Sequence, residues 1–118
     1  MSKLDKLAAY DFHDSLLESI SYDKDIKKAF LNIDFCNWKQ EWYNETDEET
    51  SMISVVFENV SNVIIPEFKI NSDEIIEFEL IMGKGIKMVV FNDIDDASYE
   101  IQIDADSVEI IDKQEGEI

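Results

Sequence analysis

The sequence predicts a mainly β fold, with an α+β fold as the alternative, in a single domain over residues 1–118. A chain of 118 residues has room for one hydrophobic core. Several short segments alternate apolar and polar residues with a period of two, which is typical of strands with one buried face. Turn-forming residues separate these segments. We therefore expect about six to eight short, mostly antiparallel strands in a curved sheet or sandwich, with a short N-terminal helix or arm.

The N-terminal part of the chain predicts a short helix followed by a hairpin. Residues 2–9 are good helix formers, but they allow two turns at most. Residues 16–22 and 29–36 both alternate, and a turn at 23–25 separates them, so the two strands should pair in antiparallel fashion. In the first strand, Leu16, Ile20 and Tyr22 should share one face.

The middle of the chain predicts a surface loop, a third strand and an edge segment. Residues 37–51 do not alternate, because an aromatic group there runs into an acidic polar stretch. Residues 52–60 are rich in β-branched side chains and alternate again, with Ile53, Val55 and Phe57 expected inside. Pro66 has no backbone N–H to donate, so the apolar segment 63–66 should lie at a sheet edge or in a crossing connection.

The last part of the chain predicts strands joined by tight turns. Residues 74–80 are compatible with a short helix, but their alternation favours a strand with Ile76, Phe78 and Leu80 on one face. A glycine-containing turn at 83–85 leads to a strand over 86–91. The segment 99–105 alternates most regularly, and a last short strand should cover 108–110.

The charge of the chain limits the class of partner. The sequence has 28 acidic residues against 10 lysines and no arginine, for a formal charge of −18. Residues 41–118 contain four lysines and 21 acidic residues, a net charge of −17. Such a surface repels nucleic acid and anionic membranes and attracts basic proteins. Acidity that only keeps the protein in solution is the alternative explanation.

The residues that could support catalysis or metal binding are too few for a site. Cys36 and His13 are the only cysteine and histidine, so they allow neither a disulfide nor a zinc site, and no oxyanion loop accompanies them. Residues 93–104 resemble a calcium loop, but Ser98 replaces the required glycine and Asp104 the final glutamate. We expect no enzyme, no cofactor and no metal. The single cysteine and the absence of a signal or membrane segment predict a cytoplasmic protein.

The sequence predicts where a partner would bind. Trp42 and Tyr43 stand among polar residues, and these side chains are frequent anchors in protein interfaces. Alternate carboxylates on a strand lie about 6.6 Å apart, so acidic strands present rows of negative charge. The acidic residues that we expect in the partner-binding surface are Asp47, Glu48, Glu49, Glu77, Glu79, Glu100, Asp104 and Asp106.

One short motif suggests a family. Asp11-Phe12-His13-Asp14-Ser15, a Tyr22-Asp23 turn and the later Val56-Phe57-Glu58-Asn59-Val60 resemble a set of small bacterial proteins with an early His-Asp-Ser before their strands. The match covers residues 11–60. Some of those proteins look like immunity proteins of polymorphic or contact-dependent toxin systems. The resemblance implies no catalytic residue; from the residues themselves we expect His13 and Asp14 to satisfy backbone groups at the turn before the first strand.

Together these observations predict a non-enzymatic acidic binding protein. Its most specific form is an immunity protein that neutralises a basic bacterial toxin domain by occlusion. The alternative is a structural or regulatory β-domain of unknown partner whose acidity serves solubility. The sequence makes no prediction about the oligomeric state.

Overall fold

The computed structural model describes residues 4–36, 50–81 and 83–112, and the fold is mainly β as predicted. A 3₁₀ helix over Leu4–Ala9 precedes the strands. The eight described strands are β1 (Leu16–Asp23), β2 (Lys28–Cys36), β3 (Thr50–Glu58), β4 (Asn62–Ile64), β5 (Asp73–Ile81), β6 (Gly85–Asn92), β7 (Ala97–Asp104) and β8 (Ser107–Asp112). They form one open sheet in the order β4-β7-β6-β5-β1-β2-β3-β8, and every pair is antiparallel.

The sheet curves so that both of its halves bury one face in a common core. Leu31 and Val55 of the half formed by β1, β2, β3 and β8 are fully buried. Met88 and Ile101 of the half formed by β4 to β7 are also fully buried, in the same cluster. The same cluster includes Leu4 and Leu7 of the 3₁₀ helix and Phe12 from the segment before β1, and Phe68 and Ile70 from the connection before β5 pack against it. We call the sheet surface that points away from this core the outer face.

The two halves join through a short contact between β1 and β5. Their pairing consists of Leu16 with Glu74 and Leu17 with Asp73. The backbone of Ile75 extends the contact, because its N–H donates to Ser15 O at 2.8 Å. Beyond Leu17, the described strand that pairs with β1 is β2. One edge of β1 is therefore unpaired over most of its length within the described residues.

Two β-bulges change which side chains face the core. A bulge between Leu17 and Ser19 places Leu17, which is fully buried, on the inner face in place of Leu16. Ile20 and Tyr22 pair with the buried Leu31 and Ala29, whereas Leu16 pairs with Asp34, so the prediction that all three share one face is wrong for Leu16. A second bulge, between Ile75 and Glu77, buries Ile75 completely and leaves Ile76 half-buried. Alternation cannot reveal a bulge, because the extra residue has no characteristic composition.

Ile75 rather than Ile76 shares the inner face with Phe78 and Leu80, so the prediction for Ile76 is wrong too, but the strands themselves form where the sequence predicted them. The β1–β2 hairpin forms as expected, and Ile53, Val55 and Phe57 of β3 point into the core. β4 is a three-residue edge strand that ends before Pro66. Most of the predicted loop at 37–51 lies outside the described residues. In the described part of the chain, no helix is long and apolar enough to cross a membrane.

Candidate protein-binding site

The acidic residues of β5 and β7 share the outer face of one half of the sheet. In one row across the sheet, Val89 of β6 lies between Glu77 and Glu100. In the next row, Lys87 lies between Glu79 and Gln102. Glu77 and Glu79 are about 6.6 Å apart along β5, and Glu77 and Glu100 about 10 Å apart across β6. The two acidic strands are thus not direct neighbours, because β6 separates them.

Lys87 is the cation within this arrangement. Its Nζ lies 3.8 Å from a carboxylate oxygen of Glu79 and 3.8 Å from one of Glu100. The carboxylate side chains are 64% and 57% exposed, so each ion pair is weak and remains open to competition from another cation. Glu77 has no such partner among the described ion pairs.

More carboxylates extend the same surface towards the β6–β7 turn. Glu74 is exposed at the start of β5, in the row that contains Phe91 and Ser98. The turn that follows this row contains three exposed aspartates. We define the acidic face by the four carboxylates and the lysine that the strand register places on the outer face: Glu74, Glu77, Glu79, Glu100 and Lys87.

A buried polar pair holds the β6–β7 turn in place. Asp73 is 1% exposed, and the side-chain amide of Asn92 donates to both of its carboxylate oxygens at 3.1 Å. The Asn92 side-chain oxygen in turn accepts the backbone N–H of Asp95 at 2.9 Å. A fully buried carboxylate requires such donors to offset its lost hydration. The core thereby determines the position of an exposed acidic turn.

Tyr99 makes a second link to this turn. Its hydroxyl donates to Asp95 Oδ2 at 2.7 Å, and its ring stacks on Phe68 with a centroid distance of 4.3 Å. The hydrogen bond to Asp95 raises the pKa of the Tyr99 hydroxyl, and desolvation and the negative charge of Asp95 add to the effect. Tyr99 therefore stays protonated and keeps donating to the turn at neutral pH.

The centre of the acidic face is apolar. Val89 and Phe91 are half-buried side chains of β6 that project from the outer face. Val89 lies between Glu77 and Glu100, and Phe91 lies between Glu74 and Ser98. An apolar centre within a polar rim is the usual composition of a protein-binding surface. Sequence alternation indicates that Val89 points outward, but only the strand order shows which carboxylates surround it.

Among the remaining candidate residues, the structure contradicts the expectation for Asp104. Asp104 was expected in the exposed acidic row, but it is only 9% exposed, so it cannot belong to an open binding surface. Its carboxylate oxygen Oδ1 has no hydrogen-bond partner. Asp106 is exposed in the turn between β7 and β8, away from the acidic face. The other predicted residues lie outside the described residues: Trp42, Tyr43, Asp47, Glu48 and Glu49.

The His-Asp-Ser segment joins the start of β1 to the end of β2. The buried Ser15 hydroxyl accepts the backbone N–H of Cys36 at 2.9 Å, and the Cys36 thiol donates to the Asp14 carbonyl at 3.3 Å. Asp11 accepts the backbone N–H of His13, whose ring lies 3.2 Å from the Asp14 carboxylate. The side chains of Asp11 and Ser15 thus satisfy backbone groups here. The same role for His13 and Asp14 stays a prediction.

Neither the geometry nor comparison with known proteins identifies another site. Within residues 4–36, 50–81 and 83–112, no group of three or more histidine, cysteine or acidic side chains is arranged to hold a metal ion. No family model, no curated protein and no solved structure matches the chain. The resemblance to immunity proteins therefore stays a prediction.

Proposed function

We propose that this protein is a non-enzymatic binding protein of the cytoplasm whose acidic face docks a basic protein. In its most specific form, the partner is a basic bacterial toxin domain and this chain is the immunity protein that occludes it. The observation that supports the proposal is the apolar centre of Val89 and Phe91 inside a rim of carboxylates. A partner with lysines or arginines around an apolar patch would complement both features.

The charge and the apolar centre would act at different stages of binding. A formal charge of −18 attracts a cationic protein over several ångströms and speeds encounter, to a degree that falls with salt. Contacts with Val89 and Phe91 would then slow dissociation, because they form only in the docked complex. An incoming cation would take the place of Lys87 beside Glu79 or Glu100. Breaking the existing ion pairs would cost little free energy, because they are exposed to water.

The test is a pull-down with the protein encoded by the neighbouring gene, combined with rescue of cells from the toxicity of that protein. We expect Glu100→Lys to weaken the complex by about tenfold or more, because it places a cation beside Lys87 on the docking surface. Glu109→Lys is the matched control. It makes the same change in net charge at an exposed position of β8, in the other half of the sheet.

Each alternative predicts a different result. If the chain does not bind the neighbouring protein and does not rescue the cells, the immunity function is rejected. A complex that is indifferent to salt and to Glu100→Lys would reject the acidic face as its docking surface. That second result would favour a structural or regulatory β-domain whose acidity serves solubility.

A further inference from the structure

The free edge of β1 is a second place where a partner can be recognised. Pairing between β1 and β5 ends at Leu17, so Ser19–Asp23 pair only with β2 among the described strands. An unpaired edge leaves a row of backbone N–H and C=O groups that can bind an added strand. These residues are exposed or half-buried, so the 3₁₀ helix and the described connections do not cover the edge.

A groove lies along this same edge. It has a volume of about 480 Å³ and is lined by Ser21, Tyr22, Asp23, Lys24 and Phe30. Two of these residues are aromatic, and one is a carboxylate. Alternate side chains of an added strand need such pockets, which give strand addition its sequence preference.

The chemistry of the groove indicates which side chain it would accept. Phe30 and Asp23 lie on the same face of the sheet, because they alternate with Ala29 and Tyr22 in the β1–β2 pairing. The aliphatic stem of a lysine or arginine can pack on the Phe30 ring while its charged end reaches the Asp23 carboxylate. Lys24 also lines the groove, but it is exposed in the β1–β2 turn and can point into solvent when a cation enters. Most of the negative charge of the chain lies in residues 41–118, so the local source of the preference for a cation is Asp23.

We propose that an extended, lysine- or arginine-containing segment of the basic partner adds to the free edge of β1 as a strand and places one cationic side chain in this groove. The inference rests on the proposed function, since it takes the partner to be basic. It adds a second contact on the β1 half of the sheet, separate from the acidic face on the β5–β6–β7 half.

Two other occupants fit the edge less well. A second copy of the chain would bring two formal charges of −18 together, which opposes edge-to-edge pairing. The C-terminal strand β8 lies at the opposite edge of this half of the sheet, because β2 and β3 separate it from β1. The chain that follows β8 would have to pass two strands to reach the groove.

The test uses a capped peptide of about seven residues that alternates lysine and threonine, a composition suited to an extended strand. Binding to the full-length protein is followed by NMR of the backbone amides. We expect saturable shifts in Ser19–Asp23 and in Phe30. Two isomers of the peptide then separate strand addition from charge attraction. One is N-methylated at its odd-numbered residues and the other at its even-numbered residues, so each lacks the N–H donors along a different edge of the extended peptide. One isomer should bind about tenfold or more weakly than the other, since only one edge of the peptide faces β1.

Protein variants test the groove itself. Asp23→Asn should weaken peptide binding by about two- to fivefold, the range of one exposed charge contact. Asparagine can still accept the turn hydrogen bond that Asp25 N–H donates to Asp23 at 3.0 Å. Asp25→Asn is the matched control, because it makes the same change in net charge at an exposed residue outside the groove lining, and it should leave affinity nearly unchanged.

Several results would overturn the inference. They are absence of binding, equal binding of the two N-methylated isomers, equal effects of Asp23→Asn and Asp25→Asn, and shifts confined to the acidic face around Glu77 and Glu100. The last result would leave the proposed function standing while rejecting strand addition at β1. If the peptide binds at β1 but the protein encoded by the neighbouring gene forms no complex, the proposed function is rejected while strand addition at β1 stands.

Discussion

Removing the Ser15 hydroxyl should destabilise the fold, although the change deletes only one atom. Ser15 is fully buried, and its Oγ accepts the backbone N–H of Cys36 at 2.9 Å. In Ser15→Ala this N–H would lose the acceptor that the structure gives it, while the backbone bond between Ser15 O and Ile75 N–H would remain. A buried donor without a partner costs about 1–3 kcal/mol, so we expect the free energy of unfolding to fall by about 2 kcal/mol.

Urea unfolding measures this loss directly. A change of about 2 kcal/mol should lower the urea midpoint by about 1 M and the melting temperature by about 8 °C in a chain of this size. Ser19→Ala is the matched control. Ser19 also accepts a hydrogen bond, from Asn32 Nδ2 at 2.7 Å, but this bond is exposed and water can replace it. Its loss should cost about 0.5 kcal/mol or less.

Equal stabilities of the Ser15→Ala and Ser19→Ala variants would refute the reasoning. Hydrogen exchange adds a local measurement. The Cys36 amide should exchange faster in Ser15→Ala than in the parent protein. The increase in rate should be at least the factor that corresponds to the loss in the free energy of unfolding. Folded Ser15→Ala should still bind a partner normally, because the Ser15 side chain is fully buried and therefore offers no surface to a partner. A selective loss of binding would assign the His-Asp-Ser segment to recognition instead.

Three further changes test particular contacts. The unfolded chain releases the Tyr99 proton near its ordinary pKa of about 10, before the folded protein does, because the hydrogen bond to Asp95 raises the folded pKa. Stability should therefore fall as the pH rises above about 10, and Tyr99→Phe should reduce this loss in urea titrations across the alkaline range. Asp104→Asn removes the charge of a buried carboxylate whose Oδ1 has no partner, so the free energy of unfolding should rise by about 1 kcal/mol; a fall would contradict this account. A Cβ at Gly85 would overlap the carbonyl oxygen of Ile103, so Gly85→Ala should lower the free energy of unfolding by about 2 kcal/mol, and an unchanged urea midpoint would refute this account.

Local pattern was sufficient to predict most strands. Residues of β2 alternate without interruption, and Ala29, Leu31 and Ile33 are all fully buried as expected. The same holds for Ile101 and Ile103 of β7. These strands are regular, so the period of two that determines their burial is visible in the sequence. At Leu16 the pattern failed, because the bulge after Leu17 depends on contacts with β2 rather than on composition.

The candidate site depends on strand order, which local pattern does not contain. The acidic residues Glu77, Glu79 and Glu100 were recognisable as outward-facing, but nothing in their spacing showed that β6 lies between their strands. For the same reason the sequence did not show that Lys87 bridges two carboxylates. Asp104 ends the most regular strand and follows its polar alternation, yet it is buried where the chain meets Gly85 and Ser61.

The arrangement around Val89 bears on the choice between solubility and binding. Glu77 and Glu100 flank Val89, but they are exposed and lie about 10 Å apart, so water screens most of their mutual repulsion. A threonine or lysine at the position of Val89 would also keep the surface polar, so solubility does not require a valine there. A cationic partner that covers Val89 would bury apolar surface and pair with the carboxylates on either side in the same step. A basic partner would therefore use both the carboxylates and the valine between them, whereas solubility would use only the carboxylates.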